Sequence, residues 1–357
     1  MHNKKVRVGV IGSGFMGRAH SICYGLTGQA ELEVICSRTA ERAEAVAKEY
    51  GYRRWTTDWQ DVVNDPNIDL VDITVPNYLH KEIAVACARA KKDFVIEKPL
   101  ARNVKEADEI IRAVEDSGVK AYYAEDMRYA PNYCKAKEII EQGGIGRPFM
   151  IRVHEMHDGP FHAKWFWDAE LTGGGVVIDV GIHGLYVMEW LMGAKIVSVF
   201  AQTDVLKWHE YCKNGAEDNA VILFRFDNGA VGEMVNSWAI SGGMDTGAQI
   251  FGTSGNIYLD AGRTAGGMLC FSTDGYGKSL EEKKSDRPHP MPTRGWHFPV
   301  VDEWNLHGHA PEIREFVRAK LENRTSVTSI YDGRRALVVV EAIYESAKSG
   351  RPVSVGA

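Results

Sequence analysis

The first 126 residues alternate short apolar runs with longer segments whose apolar positions recur at helical spacing. The runs predict strands at Val6–Ile11, Leu32–Cys36, Leu70–Val75, Phe94–Glu97 and Lys120–Ala124. The intervening segments predict helices near Arg18 and at Ala40–Tyr50, Trp59–Asn64, Glu82–Lys91 and Val104–Ser117. Strands that alternate with helices in this way predict a parallel, doubly wound α/β sheet, so we assign residues 1–126 to a Rossmann domain.

The pattern changes after residue 126, where extended runs follow one another with short turns. They predict strands at Phe149–Met156, Val197–Val205, Ala220–Phe226, Ala230–Trp238, Ala248–Phe251, Asn256–Leu259 and Met268–Phe271. Helices are predicted at Pro131–Gln142, Ala310–Glu322 and Tyr331–Ser349. Asp227-Asn228-Gly229 is typical of a hairpin turn. We therefore predict that residues 127–357 form an α+β domain with an open, mainly antiparallel sheet, for substrate binding and oligomerisation.

Composition narrows the possible partners. The 357 residues are 45% hydrophobic and 25% charged, as in soluble globular proteins of about two domains. A net charge of −6 without a long basic run argues against binding to nucleic acid or an anionic membrane. Without a long apolar run or a signal-peptide core we expect a cytoplasmic protein with a small-molecule substrate. The six cysteines form no C-x-x-C pair, which argues against a disulfide framework or a thiolate zinc site.

A glycine turn, Gly12-Ser13-Gly14-Phe15-Met16-Gly17, follows the first predicted strand and opens a helix. In such a G-x-G-x-x-G turn the glycines permit a tight bend, close approach of a pyrophosphate, and close packing of helix on strand. We therefore predict an NAD(P) cofactor bound at this turn. The second strand ends in Ser37 and Arg38 rather than in a ribose-binding acid, which slightly favours NADP. NAD stays open, because Arg38 could stack on adenine or lie in solvent.

Polar residues also follow two further strands. Asn77 and His80 come after Leu70–Val75, and Glu97-Lys98-Pro99 ends the next strand. In doubly wound sheets ligands bind at the carboxyl ends of the strands, so these residues are candidates for the same site. Each has a structural alternative: a helix cap for Asn77, a packing role for His80 and a solvated surface position for Lys98.

One helix interrupts the extended runs of the second half. Gly173-Gly174-Gly175 precedes Asp179 and His183, which are spaced i,i+4 and project from one helical face. A carboxylate beside an imidazole suits a general base, because the acid orients the ring and stabilises its protonated form. The same spacing is equally common in structural pairs.

Aromatic and polar residues precede this helix and suit the faces and hydroxyls of a sugar ring. The substrate-binding candidates are Arg128, His154, Trp165 and Trp167, with core packing as the alternative for both tryptophans. No metal site is predicted. His154 and His157 point to opposite faces of the predicted strand, and His307-Gly308-His309 is too short to decide.

The glycine turn, Glu97-Lys98-Pro99, and the run from Gly173 to His183 together resemble the Gfo/Idh/MocA family of dinucleotide-dependent oxidoreductases over essentially the whole chain. This resemblance implies that Lys98 is the active-site lysine and that Asp179 and His183 complete the catalytic group. It also implies cofactor contacts from Gly12, Gly14, Gly17, Asn77, His80 and Glu97. Members of the family act mostly on sugars, inositols and other polyols, and they often form dimers or tetramers.

The expected reaction is hydride transfer between a secondary hydroxyl of a sugar or glycoside, possibly the C3 hydroxyl, and the nicotinamide. An inositol or polyol dehydrogenase is a second possibility. Two other classes stay open: an enzyme that cleaves glycosides through transient oxidation, and a dinucleotide-binding sensor without turnover. Release of an aglycone without net NAD(P)H formation would identify the first, and absence of redox activity would favour the second.

Overall fold

The structure is a computed structural model that describes residues 5–241, 244–260, 267–273, 275, 295–297 and 308–356. The chain forms two compact units. The first comprises Met1–Asp126, Glu170–Gly173 and Gly308–Leu337, and the second comprises Met127–Ala169, Gly174–His307 and Val338–Ala357. The predicted division at residue 126 therefore differs from these units, because Glu170–Gly173 and Gly308–Leu337 belong with the first unit. Of the His307-Gly308-His309 motif, His307 lies outside the described residues.

The first unit is built on a parallel sheet in the order β3-β2-β1-β4-β5-β6. This is the doubly wound arrangement predicted from the alternation of strands and helices. Its strands are β1 (Val6–Ile11), β2 (Ala30–Cys36), β3 (Arg54–Thr56), β4 (Leu70–Ile73), β5 (Asp93–Glu97) and β6 (Ala121–Ala124). Its first helices are α1 (Phe15–Thr27), α2 (Ala40–Tyr50), α3 (Trp59–Val63), α4 (His80–Arg89) and α5 (Val104–Ser117). The three-residue strand β3 carries too short a pattern to be predicted.

The pairing register brings three strand ends into one row. Ile11 of β1 pairs with Ile73 of β4, and Ile73 pairs with Ile96 of β5. Because the strands are parallel, the next residue of each strand lies at the same carboxyl edge. The glycine turn, the residues after β4 and the Glu97-Lys98 pair therefore leave the sheet side by side.

The second unit contains a sheet in the order β14-β13-β12-β11-β7-β10-β9-β8-β15. The described strands are β7 (Pro148–Met156), β8 (Ile196–Asp204), β9 (Asn219–Phe226), β10 (Val231–Ser237), β11 (Asp245–Gly252), β12 (Gly255–Asp260), β13 (Gly267–Ser272), β14 (Gly295–His297) and β15 (Val353–Ser354). Neighbours are antiparallel except for β7 and β10, which pair in parallel. The remaining helices are α6 (Pro131–Glu141), α7 (Ala169–Thr172), α8 (Ile182–Met192), α9 (His309–Leu321) and α10 (Ile330–Ser349).

Helix α9 explains the difference at the domain boundary. It packs on α1, and its Phe316 stacks on Tyr122 of β6 with ring centroids 5.7 Å apart. The hydroxyl of Thr328 donates to the backbone oxygen of Tyr123 at 2.7 Å. Helical periodicity identifies the apolar face of α9 but not the element that covers it, so the sequence pattern could not assign this helix to a unit.

The helical run Ala169–Met192 is long and apolar enough to cross a membrane by length and composition. However, 78% of the most apolar 18-residue stretch of this run is buried within the protein. A core helix of a soluble protein has the same signature, so the run is weak evidence for a membrane span.

Candidate active site

The glycine turn has the geometry that a dinucleotide requires. Gly12 has a φ of +115°, and a Cβ on it would lie 2.3 Å from the backbone oxygen of Thr74. A Cβ on Gly17 would lie 2.0 Å from the oxygen of Gly12, so both positions are restricted to glycine by the protein itself. A Cβ on Gly14 would meet no atom of the described residues within 4 Å. The space beside Gly14, at the N-terminus of α1, therefore fits a pyrophosphate that approaches the backbone.

Phe15 and Met16 flank this space. Phe15 is 72% exposed, and Met16 is partly exposed. An exposed phenylalanine at the phosphate end of a dinucleotide site can cover the bound molecule with apolar surface. Their predicted cofactor contacts stay predictions.

Ser37 and Arg38 occupy different environments at the end of β2. The hydroxyls of Ser37 and Ser13 are both buried and hydrogen-bonded to each other at 2.7 Å. Arg38 is exposed. Arg38 is therefore the member of the predicted pair that can extend toward a ribose phosphate.

His80 and Asn77 are packed inside the first unit. The ring of His80 is fully buried, with Nδ1 2.8 Å from the oxygen of Pro99 and Nε2 2.9 Å from the oxygen of Val75. Burial lowers the pKa of His80, although the hydrogen bonds to the oxygens of Val75 and Pro99 oppose this. Asn77 donates its side-chain amide to the oxygen of Thr172 at 2.9 Å. His80 therefore joins the segments that follow two strands, and the predicted cofactor contacts of His80 and Asn77 stay predictions.

Glu97 and Lys98 leave β5 together, with a cis peptide bond between Lys98 and Pro99. Lys98 is partly exposed, whereas Glu97 is buried and its Oε2 accepts from the backbone N–H of Lys98 at 3.1 Å. Burial raises the pKa of Glu97, but the hydrogen bond and charge of His20 outweigh burial and hold that pKa below its ordinary value. Glu97 thus binds protein groups with its carboxylate, and its predicted cofactor contact stays a prediction.

The helix that carries Asp179 and His183 begins with a widened turn. Val177–Gly181 is π-helical and continues directly into α8. Such π turns occur often at functional sites. Asp179 and His183 are both buried, so a base formed by this pair would act away from bulk water.

His157 is a further histidine near this pair that was not selected from the sequence. Its Nε2 lies 4.0 Å from Oδ2 of Asp179, and its ring lies 6.4 Å from that of Trp238. The signal was present in the alternation of β7, where Val153 and Glu155 are buried and a continuation would place residue 157 on the same side.

Glu217 holds the start of the Asp179 helix. Its carboxylate accepts from the backbone N–H groups of Gly175 and Val177, each at 2.9 Å, and from the hydroxyl of Tyr344 at 3.1 Å. A Cβ on Gly174 would lie 1.9 Å from the Tyr344 hydroxyl, and one on Gly175 would lie 2.1 Å from the backbone oxygen of Glu217. The glycines therefore permit close contact with protein groups, and Glu217 with Tyr344 was missed because both are distant in sequence.

Glu217 should make stability depend on pH. Burial raises its pKa to about 7, although the hydrogen bonds from Val177 and Tyr344 oppose this. A carboxyl whose pKa is higher in the folded than in the unfolded chain stabilises the folded chain fully only below its unfolded pKa, about 4.5. This stabilisation is lost as pH rises through the folded pKa, about 7. We expect Glu217→Gln to remove roughly 2 to 3 kcal/mol of pH-dependent unfolding free energy between pH 5 and 8. Thermal unfolding at both pH values measures this.

Tyr344→Phe provides the matched control for Glu217. Without the tyrosine hydroxyl, the pKa of Glu217 should rise further, and the pH midpoint of the stability change should move upward. A Glu217→Gln variant whose unfolding temperature varies with pH as in the wild type would contradict the assignment.

His154 lies on the opposite face of the sheet from α8. The buried residues of β7 that α8 contacts are on the side of Val153, since a Cβ on Gly184 would lie 3.1 Å from its Cγ1. Alternation therefore turns His154 the other way, where its Nε2 is 3.1 Å from Oδ1 of Asp245. His154 therefore lies on the other face of the sheet from α8, and its predicted substrate contact stays a prediction.

The other substrate candidates have distinct environments. Trp167 is 3% exposed and packs against Phe161, Trp208, Tyr211 and Trp238, so the core alternative describes it. Trp165 is partly exposed and stacks on Phe166 with centroids 3.9 Å apart.

Arg128 stacks on an aromatic ring of α8. Its guanidinium lies 4.3 Å from the ring centroid of Trp190, seven residues beyond His183 on α8. Seven residues are two helical turns, about 10 Å along the axis. Arg128 therefore contacts α8 about two turns away from His183, and its contact with Trp190 accounts for its partial burial. Its predicted substrate contact stays a prediction.

The parallel sheet and the glycine turn define a dinucleotide-binding protein of the Rossmann class. Residues 6–125 match the family model described as "Oxidoreductase family, NAD-binding Rossmann fold", and residues 133–258 match the "GFO/IDH/MocA C-terminal domain". The chain therefore belongs to the Gfo/Idh/MocA family, as the three motifs indicated, and is a dinucleotide-dependent oxidoreductase.

Full-length relatives support this assignment. The chain is 29% identical to myo-inositol 2-dehydrogenase of Thermotoga maritima over 98% of both chains. It is 27% identical to levoglucosan dehydrogenase of Pseudarthrobacter phenanthrenivorans over 96% of both. The solved structure of a levoglucosan dehydrogenase in complex with NADH and levoglucosan superposes with a TM-score of 0.85, at 27% identity, covering 99% of this chain and all of the other.

Proposed function

We propose that the protein transfers a hydride between a secondary hydroxyl of a sugar or glycoside ring and a nicotinamide dinucleotide. The observation that carries this proposal is the open space at Gly14 in a turn whose other glycines are fixed by packing. It lies in the same row of strand ends as Glu97 and Lys98. The family assignment adds the oxidoreductase class.

Three side chains would carry the proton chemistry. The dinucleotide, when bound, supplies a nicotinamide that accepts or donates the hydride. His183 takes the proton of the substrate hydroxyl, and Asp179 orients the imidazole and stabilises its protonated form. Lys98 donates a hydrogen bond to the same substrate oxygen and stabilises the negative charge that develops there. Gly12, Gly14 and Gly17 hold the pyrophosphate through the backbone of the turn.

The substrate class follows from the shared chemistry of the relatives. Myo-inositol and levoglucosan, named for two of them, are both cyclic and carry secondary ring hydroxyls. Trp165, partly exposed in the second unit, offers an aromatic face that suits the C–H face of a pyranose. We propose a ring sugar or glycoside over an inositol on this basis, with the C3 hydroxyl as the position oxidised.

A substrate screen tests this function. The purified protein is first denatured to identify any retained dinucleotide by mass. It is then mixed with NAD or NADP and with levoglucosan, glucose, methyl glucosides, aryl glucosides, myo-inositol or scyllo-inositol, and absorbance of the reduced nicotinamide is followed. Turnover of a ring sugar supports the proposal, and turnover of inositols alone would replace the substrate class. Aglycone release without reduced nicotinamide would indicate glycoside cleavage, and no activity with either cofactor would contradict the redox function.

The cofactor preference depends on Arg38 in our proposal. Because the hydroxyl of Ser37 is bonded to Ser13, a ribose 2′-phosphate would rely on the exposed guanidinium of Arg38. We expect Arg38→Ala to lower kcat/KM for NADP roughly 10-fold and to change that for NAD by less than about 2-fold. Equal losses with both cofactors would show instead that Arg38 stacks on the adenine.

We further propose that the enzyme works in the cytoplasm as a homo-oligomer, without metal, membrane or nucleic acid. The outward face of the second unit's sheet supports the oligomer, since Val221, Leu223 and Val231 are exposed there. Light scattering of the purified protein measures the assembly.

A further inference from the structure

A buried ion cluster joins three elements of the first unit. His20 has no exposed surface and lies on α1, three residues after Gly17. Its Nδ1 is 2.9 Å from Oδ2 of Asp72 on β4, and its Nε2 is 3.0 Å from Oε1 of Glu97 at the end of β5. One imidazole therefore bridges the carboxylates of two strands that flank the cofactor edge.

Both ring nitrogens of His20 lie within 3.0 Å of a carboxylate oxygen: Nδ1 is hydrogen-bonded to Asp72, and Nε2 is in ion-pair contact with Glu97. Burial lowers the pKa of His20, but Asp72 and Glu97 together outweigh burial and hold that pKa well above its ordinary value. Glu97 shows the matching effect, a lowered pKa at a buried carboxyl. His20 is thus a buried imidazolium between two carboxylates.

The second carboxylate oxygen of Glu97 contacts the backbone of Lys98. While Oε1 contacts His20, Oε2 accepts from the backbone N–H of Lys98. His20 therefore fixes the orientation of the Glu97 carboxylate at Oε1, and the backbone N–H of Lys98 depends on that orientation at Oε2. Any rotation of this carboxylate would release the peptide from which the Lys98 side chain extends.

We propose that His20 is a positioning residue for catalysis, which holds Glu97 so that Glu97 fixes the backbone of Lys98. This inference rests on the proposed role of Lys98. Because His20 also belongs to the helix that begins at the glycine turn, the same ion pair links the cofactor-binding helix to the lysine. Loss of the imidazolium would leave two buried carboxylates without a partner cation, and Glu97 would reorient or take up a proton.

A second histidine and a third acid lie next to this cluster. Ligand atoms of His20, His309 and Glu312 are all within 4.8 Å of one another, which is a spacing that a metal ion could use. Because Nδ1 of His20 is hydrogen-bonded to Asp72, Nε2 is the ring atom that a metal would use, and Oε1 of Glu97 lies 3.0 Å from it. Burial, with the charge of Asp126, raises the pKa of Glu312 well above its usual range, which favours the neutral form of this acid.

A double-mutant cycle tests the positioning role. His20→Gln and Glu97→Gln are each expected to lower kcat about 10-fold to 10²-fold, measured with NAD(P) and the panel sugar of highest rate. NADH affinity, measured by fluorescence, should change less than about 3-fold. Because His20 acts through Glu97, the double variant should lose no more than the single variants. Losses that multiply, or a His20→Gln variant with wild-type kcat, would overturn the inference.

Histidine-selective ¹⁵N NMR tests the imidazolium without any substrate. The signals absent from His20→Gln identify His20 and should show both nitrogens protonated up to about pH 8. An unprotonated nitrogen at pH 7 would overturn the proposal, as would stoichiometric zinc in the purified protein that His20→Gln lacks. If Lys98→Ala keeps full turnover, the proposed function fails. If Lys98→Ala is inactive and His20→Gln is fully active, only this inference fails.

Discussion

Replacing Lys98 by alanine is expected to lower kcat at least about 10²-fold, and replacing His183 by alanine should have an effect of the same order. The lysine would no longer stabilise charge on the substrate oxygen, and the histidine would no longer accept the hydroxyl proton. Because neither substitution changes the glycine turn, NADH should still bind with nearly wild-type affinity. Initial rates with the active panel sugar and NADH fluorescence titrations measure the two effects separately.

His154→Ala is the matched control for His183→Ala. Both histidines belong to the second unit, but His154 faces Asp245 on the side of the sheet away from α8. We expect its kcat to stay within about 2-fold of the wild type, because the altered side chain lies outside the proposed site. Wild-type turnover in both Lys98→Ala and His183→Ala would refute the catalytic assignment, and a large loss in His154→Ala would refute the face assignment.

The second large effect is expected at the glycine turn. Gly14→Ala should weaken NADH binding at least about 10-fold while leaving the unfolding temperature unchanged. The backbone of Gly14, with φ −73°, accepts alanine, and within the part of the chain that the structure describes no atom lies within 4 Å of the new Cβ. The methyl group would therefore collide only with a bound pyrophosphate. Fluorescence titration with NADH and a thermal melt without cofactor measure the two quantities.

Two other glycines of α1 are controls for Gly14→Ala, because their substitution should change stability in opposite directions. Gly17→Ala places a Cβ 2.0 Å from the oxygen of Gly12, so it should lower both NADH affinity and stability, the latter by about 1 to 3 kcal/mol. Gly25→Ala, in the same helix with nothing within 4 Å, should leave binding unchanged and raise stability by up to about 1 kcal/mol. Unchanged NADH affinity in Gly14→Ala would show that the dinucleotide does not bind at this turn.

Much of the fold was accessible from local pattern. The predicted helices Ala40–Tyr50 and Val104–Ser117 agree with α2 and α5, because helical periodicity and end signals coincide in short segments. The hairpin at Asp227-Asn228-Gly229 joins β9 and β10 as predicted. The parallel pairing of β7 with β10 was not predicted, because strand residues separated by a long stretch of chain carry no signal for their partner.

The candidate site was also predictable where it depends on local pattern. The glycine turn and the Asp179–His183 spacing are local motifs that the chain displays within a few residues. The burial of Glu97 and His80 was not predictable in this way, because it depends on partners such as His20 and Pro99 from other elements. His20 offered one usable signal, since it follows Gly17 by three residues and must lie on the face turned to the sheet.

The sequence by itself therefore determined the parallel sheet, the dinucleotide turn, and the family to which Lys98, Asp179 and His183 point. These depend on interactions between residues that are close in the chain. Only the tertiary structure decided that Trp167 is a core residue, that α9 packs on α1, and that His20 and Glu217 are buried against distant polar partners. Those outcomes depend on which surfaces meet across long sequence separations, and polar groups become buried there only where distant residues supply their partners.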